Sequence, residues 1–329
     1  MKALVYIGPE QLAFQDMPDP APSAQETLIK IDSVGVCGSD MHAFLGHDER
    51  RPAPLILGHE VSGTIAAGAD QGRRVTLNPL VSCGSCQACV AGRDNLCPNR
   101  QIISMPPKEG GFAQYISIRK ANLTFVPDTF SLKKACMAEP ISCGWHAVRL
   151  AKAALGSQQQ DVRALVMGGG AIGVGTALSL MAQGIQDVTL IEPNQMRREF
   201  LVSRESFAVI PPEDLNEDDQ YDLVIDGVGY ALTRATASKA VRPGGVIMHI
   251  GLGSAGVGLD VRRITLQEIT FIGTYTYTAA DFRTAAAAMF DGKLGTLDWY
   301  ETRPLADGAQ AFADIKLGQV SAPKIILKP

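Results

Sequence analysis

ALVMGGGAIG, at residues 164–173, is the stretch of sequence that decides the fold. Its first four residues are apolar, as in a buried β-strand, and glycines follow in the spacing G-x-G-x-x-G that opens a helix. Glycine permits the tight turn and lets the backbone approach a pyrophosphate at the helix N-terminus, where unpaired N–H groups favour anions. The turn therefore predicts a dinucleotide site. Its cofactor-binding residues are expected to be Gly168, Gly170, Ala171, Ile172 and Gly173.

A carboxylate after the next apolar run indicates which dinucleotide is bound. The run Val188–Ile191 is typical of a strand and leads to Glu192, close to the spacing expected for an acid that binds the adenosine ribose 2′-hydroxyl. Because a carboxylate there repels a 2′-phosphate, we expect NAD rather than NADP. The Arg197 guanidinium has alternatives: it can pair with such a phosphate, lie on a solvated helix face or lie flat on the adenine. Leu252 and Thr274 are also assigned to the cofactor site.

The pattern of the chain differs between its two parts. From about residue 162, apolar β runs alternate with helical patterns, which predicts an α/β fold with a parallel, doubly wound sheet. The predicted strands there are 164–167, 188–191, 223–225, 246–250 and 269–274, with helices at 175–183, after 194 and at 232–241. Residues 1 to about 140 show short β-like stretches between Pro- and Gly-rich loops, at 1–7, 28–34, 61–67, 74–77 and 113–118. One helix-like region covers Leu132–Leu155, and the chain ends in a helix-like 309–316 and a strand 324–327.

Composition and charge exclude several classes of protein. The 329 residues are 46% hydrophobic and 19% charged with a net charge of −4, which is typical of a globular chain of two domains. Its basic pairs, such as Arg197–Arg198 and Arg262–Arg263, are isolated, so no nucleic-acid partner is expected. The uncharged window Ala164–Ile185 contains glycines that favour a strand, a turn and a helix over a membrane span. The apolar N-terminus is too short for a signal peptide, so we expect a cytoplasmic protein.

Four of the seven cysteines lie in one loop rich in glycine and polar residues. Their spacing is C-x2-C-x2-C-x7-C, formed by Cys83, Cys86, Cys89 and Cys97. Four thiolates at turn spacing can close a tetrahedral shell with no open position, as in structural zinc sites. An iron–sulfur cluster is the rival interpretation, but the Cys-Pro after a three-residue gap that is usual for such clusters is missing. An odd number of cysteines in metal-like spacings also argues against a secreted disulfide framework.

A second set of metal-ligating residue types is dispersed along the chain. Cys37 lies in GVCGSDMH at 35–42, His59 and Glu60 lie in GHE at 58–60, and Glu139 lies in AEP at 138–140. A thiolate, an imidazole and a carboxylate form a site that leaves one metal position free for water or a substrate oxygen. Taken singly, each has an ordinary structural explanation, such as a small buried cysteine or a Glu-Pro at a helix end. Only their combination indicates a catalytic metal.

Together these motifs resemble the medium-chain dehydrogenase/reductase family, specifically its zinc-containing alcohol and polyol branch, which includes sorbitol and threonine dehydrogenases. The resemblance covers nearly the whole chain. It runs through residues 1–3, 34–40, 58–63, the cysteine loop, 110–115, 139–140, the glycine turn, 304–305 and 311–312. It implies a GroES-like β-barrel catalytic domain at 1–144 and 279–329, with a structural zinc lobe at 78–100. It further implies a Rossmann domain for NAD at 145–278 and two zinc ions per chain.

The resemblance implies which residues bind the catalytic zinc. Cys37 and His59 match ligands of the family. The identity of the third ligand stays open. Alcohol dehydrogenases have a cysteine where this chain has Glu139, whereas the polyol and threonine branch has Glu there and can use the Glu after the histidine, here Glu60. Either carboxylate can bind the metal while the other holds a water, or the two can exchange as substrate enters.

The resemblance also implies a route for the proton that leaves the substrate hydroxyl. Ser39 and His42 occupy the positions of the family's proton relay through the ribose hydroxyls, and a water held by Glu139 is the competing route. For His42, an ordinary loop histidine is an equal alternative. Thr276 stands where sorbitol dehydrogenases typically carry an arginine near the substrate, which counts against sorbitol itself.

The resulting prediction is a zinc-dependent enzyme that transfers a hydride between a secondary alcohol or polyol and NAD. A threonine dehydrogenase-like oxidation of an amino alcohol is the near alternative. From another class, the cysteine loop can be a zinc-ribbon module beside a nucleotide sensor without turnover. We expect a homodimer or homotetramer, in which the strand Ile269–Thr274 can pair across a two-fold axis.

Overall fold

The computed structural model describes residues 1–156, 161–216 and 218–329 of the chain. Contacts between residues divide the chain into two compact units. The first comprises Met1–Pro140, Thr278–Gly292 and Tyr300–Pro329, and the second comprises Ile141–Tyr277 and Lys293–Trp299. The chain therefore leaves the first unit and returns to it. The domain bounds expected from the sequence stay a prediction.

The first unit is built mainly from short strands. Its elements before the second unit are β1 (Lys2–Gly8), β2 (Gln11–Asp16), β3 (Glu26–Gly35), α1 (Gly38–Phe44), β4 (Leu55–Ile56), β5 (Glu60–Ile65), β6 (Arg74–Leu77), β7 (Leu80–Val81), α2 (Gln87–Val90), β8 (Gln101–Ile102), β9 (Tyr115–Arg119), β10 (Leu123–Phe125) and α3 (Leu132–Ala135). The next helix, α4 (Ala138–Leu155), runs from the first unit into the second.

The second unit alternates strands and helices. Its elements are β11 (Arg163–Met167), α5 (Ala171–Ala182), β12 (Asp187–Ile191), α6 (Gln195–Val202), β13 (Ala208–Ile210), β14 (Tyr221–Asp226), α7 (Ala231–Ala240), β15 (Val241–His249), α8 (Val261–Leu266) and β16 (Thr270–Gly273). The chain then adds α9 (Ala279–Phe290), β17 (Tyr300–Pro304), α10 (Gly308–Lys316) and β18 (Lys324–Lys328) to the first unit.

The main sheet of the first unit brings distant segments of the chain side by side. Its strand order is β10-β6-β5-β3-β18-β17, with β9 also paired to β3. Strand β3 alternates buried and less buried residues along most of its length, as expected when one face packs on a core. Its last residue, Gly35, pairs with Glu60 of β5 and with Ile326 of β18. The end of β3 therefore meets both the start of β5 and the C-terminal strand.

The sheet of the second unit is parallel throughout. Its order is β13-β12-β11-β14-β15-β16, which numbers 3-2-1-4-5-6 when counted from β11. The predicted α/β class with a doubly wound parallel sheet is confirmed. Apolar residues from the strands and from α7, such as Leu165, Val224 and Ala237, form a buried core. In such sheets ligands bind where the strand order reverses, here between β11 and β14.

The helix-like region Leu132–Leu155 is two helices, and the sequence explains the break. Helix α3 ends at Ala135 and α4 begins at Ala138. A continuous helix would need the nitrogen of Pro140 to donate to the Cys136 carbonyl, yet proline has no N–H and its ring clashes with that carbonyl. Proline is tolerated only in the first turn of a helix, where Pro140 lies in α4.

No helix within residues 1–156, 161–216 and 218–329 is both long enough and apolar enough to cross a bilayer.

Candidate zinc and dinucleotide sites

The four-cysteine loop folds into one compact cluster of sulfur atoms. The thiols of Cys83, Cys86, Cys89 and Cys97 all lie within 4.8 Å of one another. The Sγ atoms of Cys83 and Cys89 are 3.9 Å apart, and those of Cys86 and Cys89 are 3.5 Å apart. A tetrahedron with Zn–S bonds of about 2.3 Å has edges of about 3.8 Å. The four thiols therefore fit a structural zinc ion.

Backbone N–H groups donate to two of the sulfur atoms in this cluster. The amide of Cys86 donates to Cys83 Sγ, and the amide of Cys83 donates to Cys97 Sγ, each over 3.4 Å. Backbone hydrogen bonds from Ser85 and Cys86 lower the pKa of Cys83 to about 6. A thiolate is the form that binds metal.

Three dispersed residues meet where β3, α1 and β5 come together. Cys37 follows β3 as the N-terminal cap of α1, and His59 and Glu60 stand at the start of β5. One ligand atom from each lies within 4.8 Å of the others. The pairing of Gly35 with Glu60 explains the meeting, because it places Cys37 two residues from the strand pair that holds Glu60. The arrangement is a thiolate, an imidazole and a carboxylate around one point.

Asp40 orients this group, and the sequence interpretation missed it. Its carboxylate accepts from the amide of Cys37 at 3.0 Å and from that of Gly58 at 3.2 Å. Its Oδ1 lies 3.4 Å from His59 Nδ1, so Nε2 is left to face a metal. Burial opposes protonation of His59, but the charges of Asp40 and Cys37 outweigh it and raise the pKa of His59 well above 6.5. The sequence feature that could have identified Asp40 is an acidic residue three positions after Cys37.

Lys324 is a second residue that the sequence interpretation missed. Its Nζ donates to Glu60 Oε1 at 2.6 Å and to the Val36 carbonyl at 2.8 Å, and both charged side chains are at most 1% exposed. The other oxygen, Glu60 Oε2, is buried without a hydrogen-bond partner. A Cβ at Gly35 would lie 1.9 Å from that oxygen, so only glycine fits there. A carboxylate that has one orphaned oxygen and lies beside a thiol and an imidazole fits a divalent cation.

Glu139 is buried nearby but is not part of the close group of ligand atoms. It lies in the first turn of α4 and is 6% exposed. It acts electrostatically on Lys324, as Glu60 and Cys37 do. Of the two carboxylates left open by the sequence, the structure brings Glu60, and not Glu139, together with Cys37 and His59.

The two residues expected in the proton relay both lie on α1. Ser39 is in its first turn and His42 in its last, and both are half-buried. The buried guanidinium of Arg51 donates to the Ser39 carbonyl at 2.8 Å and to the Ser104 carbonyl at 2.9 Å. Arg51 thereby fixes the start of α1, and with it the backbone of Ser39.

The glycine turn of the second unit has the geometry that the sequence predicts. Gly168 has φ +97°, and a Cβ at Gly173 would lie 1.7 Å from the Gly168 carbonyl oxygen. Gly170 is the N-terminal cap of α5, whose first residues are Ala171 and Ile172. The start of α5 is therefore open to an anion, as a pyrophosphate site requires.

Glu192 lies against this turn at the end of β12. Its Oε2 accepts from the amide of Gly169 and its Oε1 from that of Asn194, both at 2.7 Å. The Arg197 guanidinium lies 4.0 Å from Glu192 Oε2 with a side chain 24% exposed. The carboxylate thus faces the dinucleotide turn and has a cation beside it.

A cavity of about 1000 Å³ opens beside the turn within the second unit. Gly168, Ile191, Pro193, Tyr230 and Leu232 line it, together with residues of α7 and of the segment after β13. Its largely apolar wall suits a flat adenine ring.

Leu252 and Thr274 follow strands β15 and β16 at the same edge of the sheet. Leu252 is 72% exposed, and the amide of Thr274 donates to the His249 carbonyl at 2.9 Å. Asp226, at the end of β14, was not predicted. Its carboxylate accepts from the amides of Val228 and Gly229 and from the Thr233 hydroxyl, so it shapes the turn beside the cavity.

Known proteins match this chain over most of its length. Residues 23–128 match the family described as alcohol dehydrogenase GroES-like domain, and residues 171–291 match zinc-binding dehydrogenase. The chain is 31% identical to L-galactonate-5-dehydrogenase of Escherichia coli (strain K12), over 95% of this chain and 94% of that one. It is 30% identical to sorbitol dehydrogenase of Bacillus subtilis (strain 168), over 96% and 94%. The structure of acetophenone reductase from Geotrichum candidum NBRC 4597 in complex with NAD has a TM-score of 0.87 at 27% identity, covering 100% of this chain and 97% of that one.

The chain belongs to the zinc-containing alcohol and polyol dehydrogenases of the medium-chain dehydrogenase/reductase family. It combines a GroES-like domain with a Rossmann sheet and is a zinc-dependent, NAD-linked oxidoreductase that acts on alcohols or polyols. The expected family, fold and class of reaction are confirmed.

Proposed function

We propose that Cys37, His59 and Glu60 hold a catalytic zinc ion, and that the four-cysteine cluster holds a structural one. The observation that carries this proposal is the close approach of a Glu60 carboxylate oxygen to ligand atoms of Cys37 and His59, in a carboxylate whose Oε2 is buried without a hydrogen-bond partner. A buried carboxylate oxygen without a partner is costly, and a metal ion removes that cost. The four-cysteine cluster has no free position and suits a structural role.

Bound zinc supplies Lewis-acid chemistry that lowers the pKa of a substrate hydroxyl. The protein groups do the rest. Asp40 holds the imidazole of His59 in one orientation, and Arg51 holds the start of α1, where Ser39 offers a hydroxyl. Ser39 would accept the proton of the substrate hydroxyl while releasing its own hydroxyl proton, which His42 would pass onward. Glu139, buried at the start of α4, serves as a second carboxylate that can hold a water or replace Glu60.

We infer a preference for NAD over NADP from Glu192. Its carboxylate is fixed by two amides at the glycine turn, where a ribose hydroxyl can donate to it. A 2′-phosphate at that point would be repelled. Arg197 is drawn toward Glu192, so its charge is already partly balanced. The cofactor residues are the turn from Gly168 to Gly173 together with Leu252 and Thr274.

The substrate class that we propose is a secondary hydroxyl of a polyol or a sugar acid. The relatives named above act, by their names, on sorbitol and on L-galactonate. Thr276 favours a substrate other than sorbitol. Its hydroxyl is buried without a partner, and its φ of +47° is unusual for a β-branched residue. Such strained residues concentrate at functional sites.

We further propose that the chain works as a homodimer or homotetramer in the cytoplasm. Strand β16 is the last strand of the second unit's sheet, and Phe271 on it is 38% exposed. An open edge of this kind can pair with the same edge of a second copy. All seven cysteines lie in the described part of the chain and none of them forms a disulfide there, a state that a reducing compartment would preserve.

The test is NAD reduction with a panel of polyols, sugar acids, simple secondary alcohols and threonine, together with zinc analysis. We expect about two zinc ions per chain and activity on polyols or sugar acids, with NADP less effective than NAD. Cys37→Ser should leave about one zinc and lower kcat/KM by more than about 100-fold, since even outer partners of a metal contribute 10- to 100-fold. Cys143→Ser, a half-buried cysteine of α4 outside both groups, is the control.

Two zinc ions and full activity in Cys37→Ser would contradict the proposed site. NADP outperforming NAD would contradict the role of Glu192. Threonine as the best substrate would favour the amino-alcohol alternative.

A further inference from the structure

The two oxygens of the Glu60 carboxylate have different surroundings. Oε1 is bound by the Lys324 ammonium at 2.6 Å, whereas Oε2 is buried and has no hydrogen-bond partner. The carboxylate lies directly over Gly35, where the absence of a side chain leaves it room. Glu60 is therefore held on one side by a cation, and one of its carboxylate oxygens lies within 4.8 Å of the ligand atoms of Cys37 and His59.

Lys324 reaches this position because the C-terminal strand crosses the end of β3. Ile326 of β18 pairs with Gly35, and the amide of Val36 donates to the Ile325 carbonyl at 2.9 Å. Lys324 is the first residue of β18, and its side chain is 1% exposed. A buried ammonium needs partners, and this one donates to Glu60 Oε1 and to the Val36 carbonyl.

The charges around Lys324 leave room for a divalent cation. Cys37, Glu60 and Glu139 are the anionic groups that act on its ammonium. When all are ionised, the ammonium balances one negative charge and leaves two, which is the charge that Zn²⁺ brings. Asp40, a further buried carboxylate, has His59 and then the Arg51 guanidinium acting on it. Lys324 is thus a fixed positive charge that shares its carboxylate with the metal.

We propose that Lys324 is a positioning residue that competes with the metal for the Glu60 carboxylate and keeps this ligand exchangeable. The proposal rests on the zinc role proposed above for Cys37, His59 and Glu60. Two cations divide the electron density of one carboxylate, so the ammonium on Oε1 weakens the bond that Oε2 can make. A weakly held ligand can leave when a substrate hydroxyl takes its place. Lys324 therefore lowers the affinity for the metal and makes it easier for a substrate hydroxyl to replace Glu60.

The experiment compares the rate of metal loss in variants of the full-length protein. The chelator-labile zinc is exchanged for Co²⁺, whose visible d–d absorption reports the ligand set, and cobalt loss to excess EDTA is then timed. Lys324→Met removes the ammonium and should slow cobalt loss by about 10-fold or more, with an altered d–d spectrum. Lys324→Arg, which keeps the positive charge, should stay within about 3-fold of the parent protein. Lys328→Met is the matched control, since Lys328 lies on the same strand, binds Asp32 at 2.6 Å and is 30% exposed.

Cobalt loss in Lys324→Met as fast as in the parent, with the same spectrum, would overturn the proposal. Equally slow cobalt loss in Lys328→Met would overturn it too, because the loss of any lysine charge on this strand would then have the same effect. If Lys324→Met does not fold, Lys324→Gln retains a hydrogen-bond donor without the charge and carries the same expectation. When Glu60 is already replaced by Gln, Lys324→Met should not change the rate of cobalt loss. An undiminished change in that rate would refute competition for the carboxylate.

The same measurement separates this proposal from the one on which it rests. If Cys37→Ser leaves the d–d spectrum unchanged, the labile metal is not at Cys37 and the proposed zinc site is wrong. If Cys37→Ser alters the spectrum while Lys324→Met does not, the zinc site stands and the competition fails.

Discussion

Asp40 illustrates how one buried side chain organises the proposed zinc site. It is fully buried and binds the amides of Cys37 and Gly58, which come from two separate segments. Burial alone would raise the pKa of Asp40, but the charges of His59 and Arg51 outweigh it and lower the pKa. The residue therefore stays ionised and keeps His59 in the orientation that a metal needs.

Glu205 is a partly buried carboxylate whose surroundings raise its pKa instead of lowering it. Burial and the neighbouring charge of Asp298 raise its pKa from 4.5 to about 7. The folded chain therefore binds this proton more tightly than the unfolded chain, so its contribution to stability falls as pH rises from about 4.5 to about 7 and stays low above that.

We expect Glu205→Gln to remove this penalty. The variant should gain about 1 kcal/mol over the parent protein at pH 8, a figure reduced for solvent screening, and little at pH 5. Urea unfolding at the two pH values measures the difference. Glu213→Gln, which replaces an exposed carboxylate, serves as the control. A gain that is the same at both pH values would contradict the raised pKa.

At the scale of elements, a helix start ties the cysteine loop to the rest of the first unit. Asp94 lies in a single 3₁₀ turn between Cys89 and Cys97. Both of its carboxylate oxygens accept from the amide of Ala279, at 3.1 and 3.2 Å. Ala279 is the first residue of α9, where an amide has no partner inside the helix and a negative charge is favourable. Asp94 of the cysteine loop thus adds a capping interaction at the start of α9 from a distant segment of the chain.

Asp94→Ala should therefore destabilise the first unit by about 1 to 2 kcal/mol, as the loss of a charged helix cap does. Thermal unfolding of the zinc-loaded protein measures it. Asp291→Ala, at the other end of α9, is the matched control. It also removes a carboxylate from an end of α9, but from the C-terminal end, where a negative charge is unfavourable, and should cost less stability than Asp94→Ala. Equal losses in both variants would show that the position of the charge does not matter.

At the scale of the whole molecule, each unit has a sheet that ends in a strand carrying an exposed phenylalanine. Phe125 lies on β10 of the first unit and is 43% exposed, and Phe271 lies on β16 of the second and is 38% exposed. The proposed assembly uses the second of these edges. Phe125 is already covered by the guanidinium of Arg73, 3.3 Å from the ring centroid.

We expect Phe271→Lys to lower the mass of the native assembly, because charges on an edge strand oppose pairing between copies. Light scattering after size-exclusion chromatography measures the mass. Phe125→Lys makes the same change on the edge of the other sheet and should leave the mass unchanged. An unchanged mass in Phe271→Lys would place the contact between copies elsewhere.

Local patterns explain which features were predictable. The glycine turn at 168–173, the strand before it and the cysteine spacing depend on neighbours in the sequence, and the structure has them where they were expected. Helix α1 was not predicted, because its seven residues lie in a glycine-containing segment with little apolar periodicity. The break between α3 and α4 was readable from Pro140 but was not predicted.

By itself, the sequence determined the class of fold, the dinucleotide turn and the two sets of metal-ligating residue types. Those features are set by backbone chemistry and by short spacings. Only the tertiary structure decided that Glu60 joins Cys37 and His59, that Asp40 faces His59 and that Lys324 binds Glu60. Lys324 and Glu60 are 264 positions apart, and no local pattern links them. Their pairing follows from the register of β18 and β5 on either side of β3, which forms only when the whole sheet is assembled.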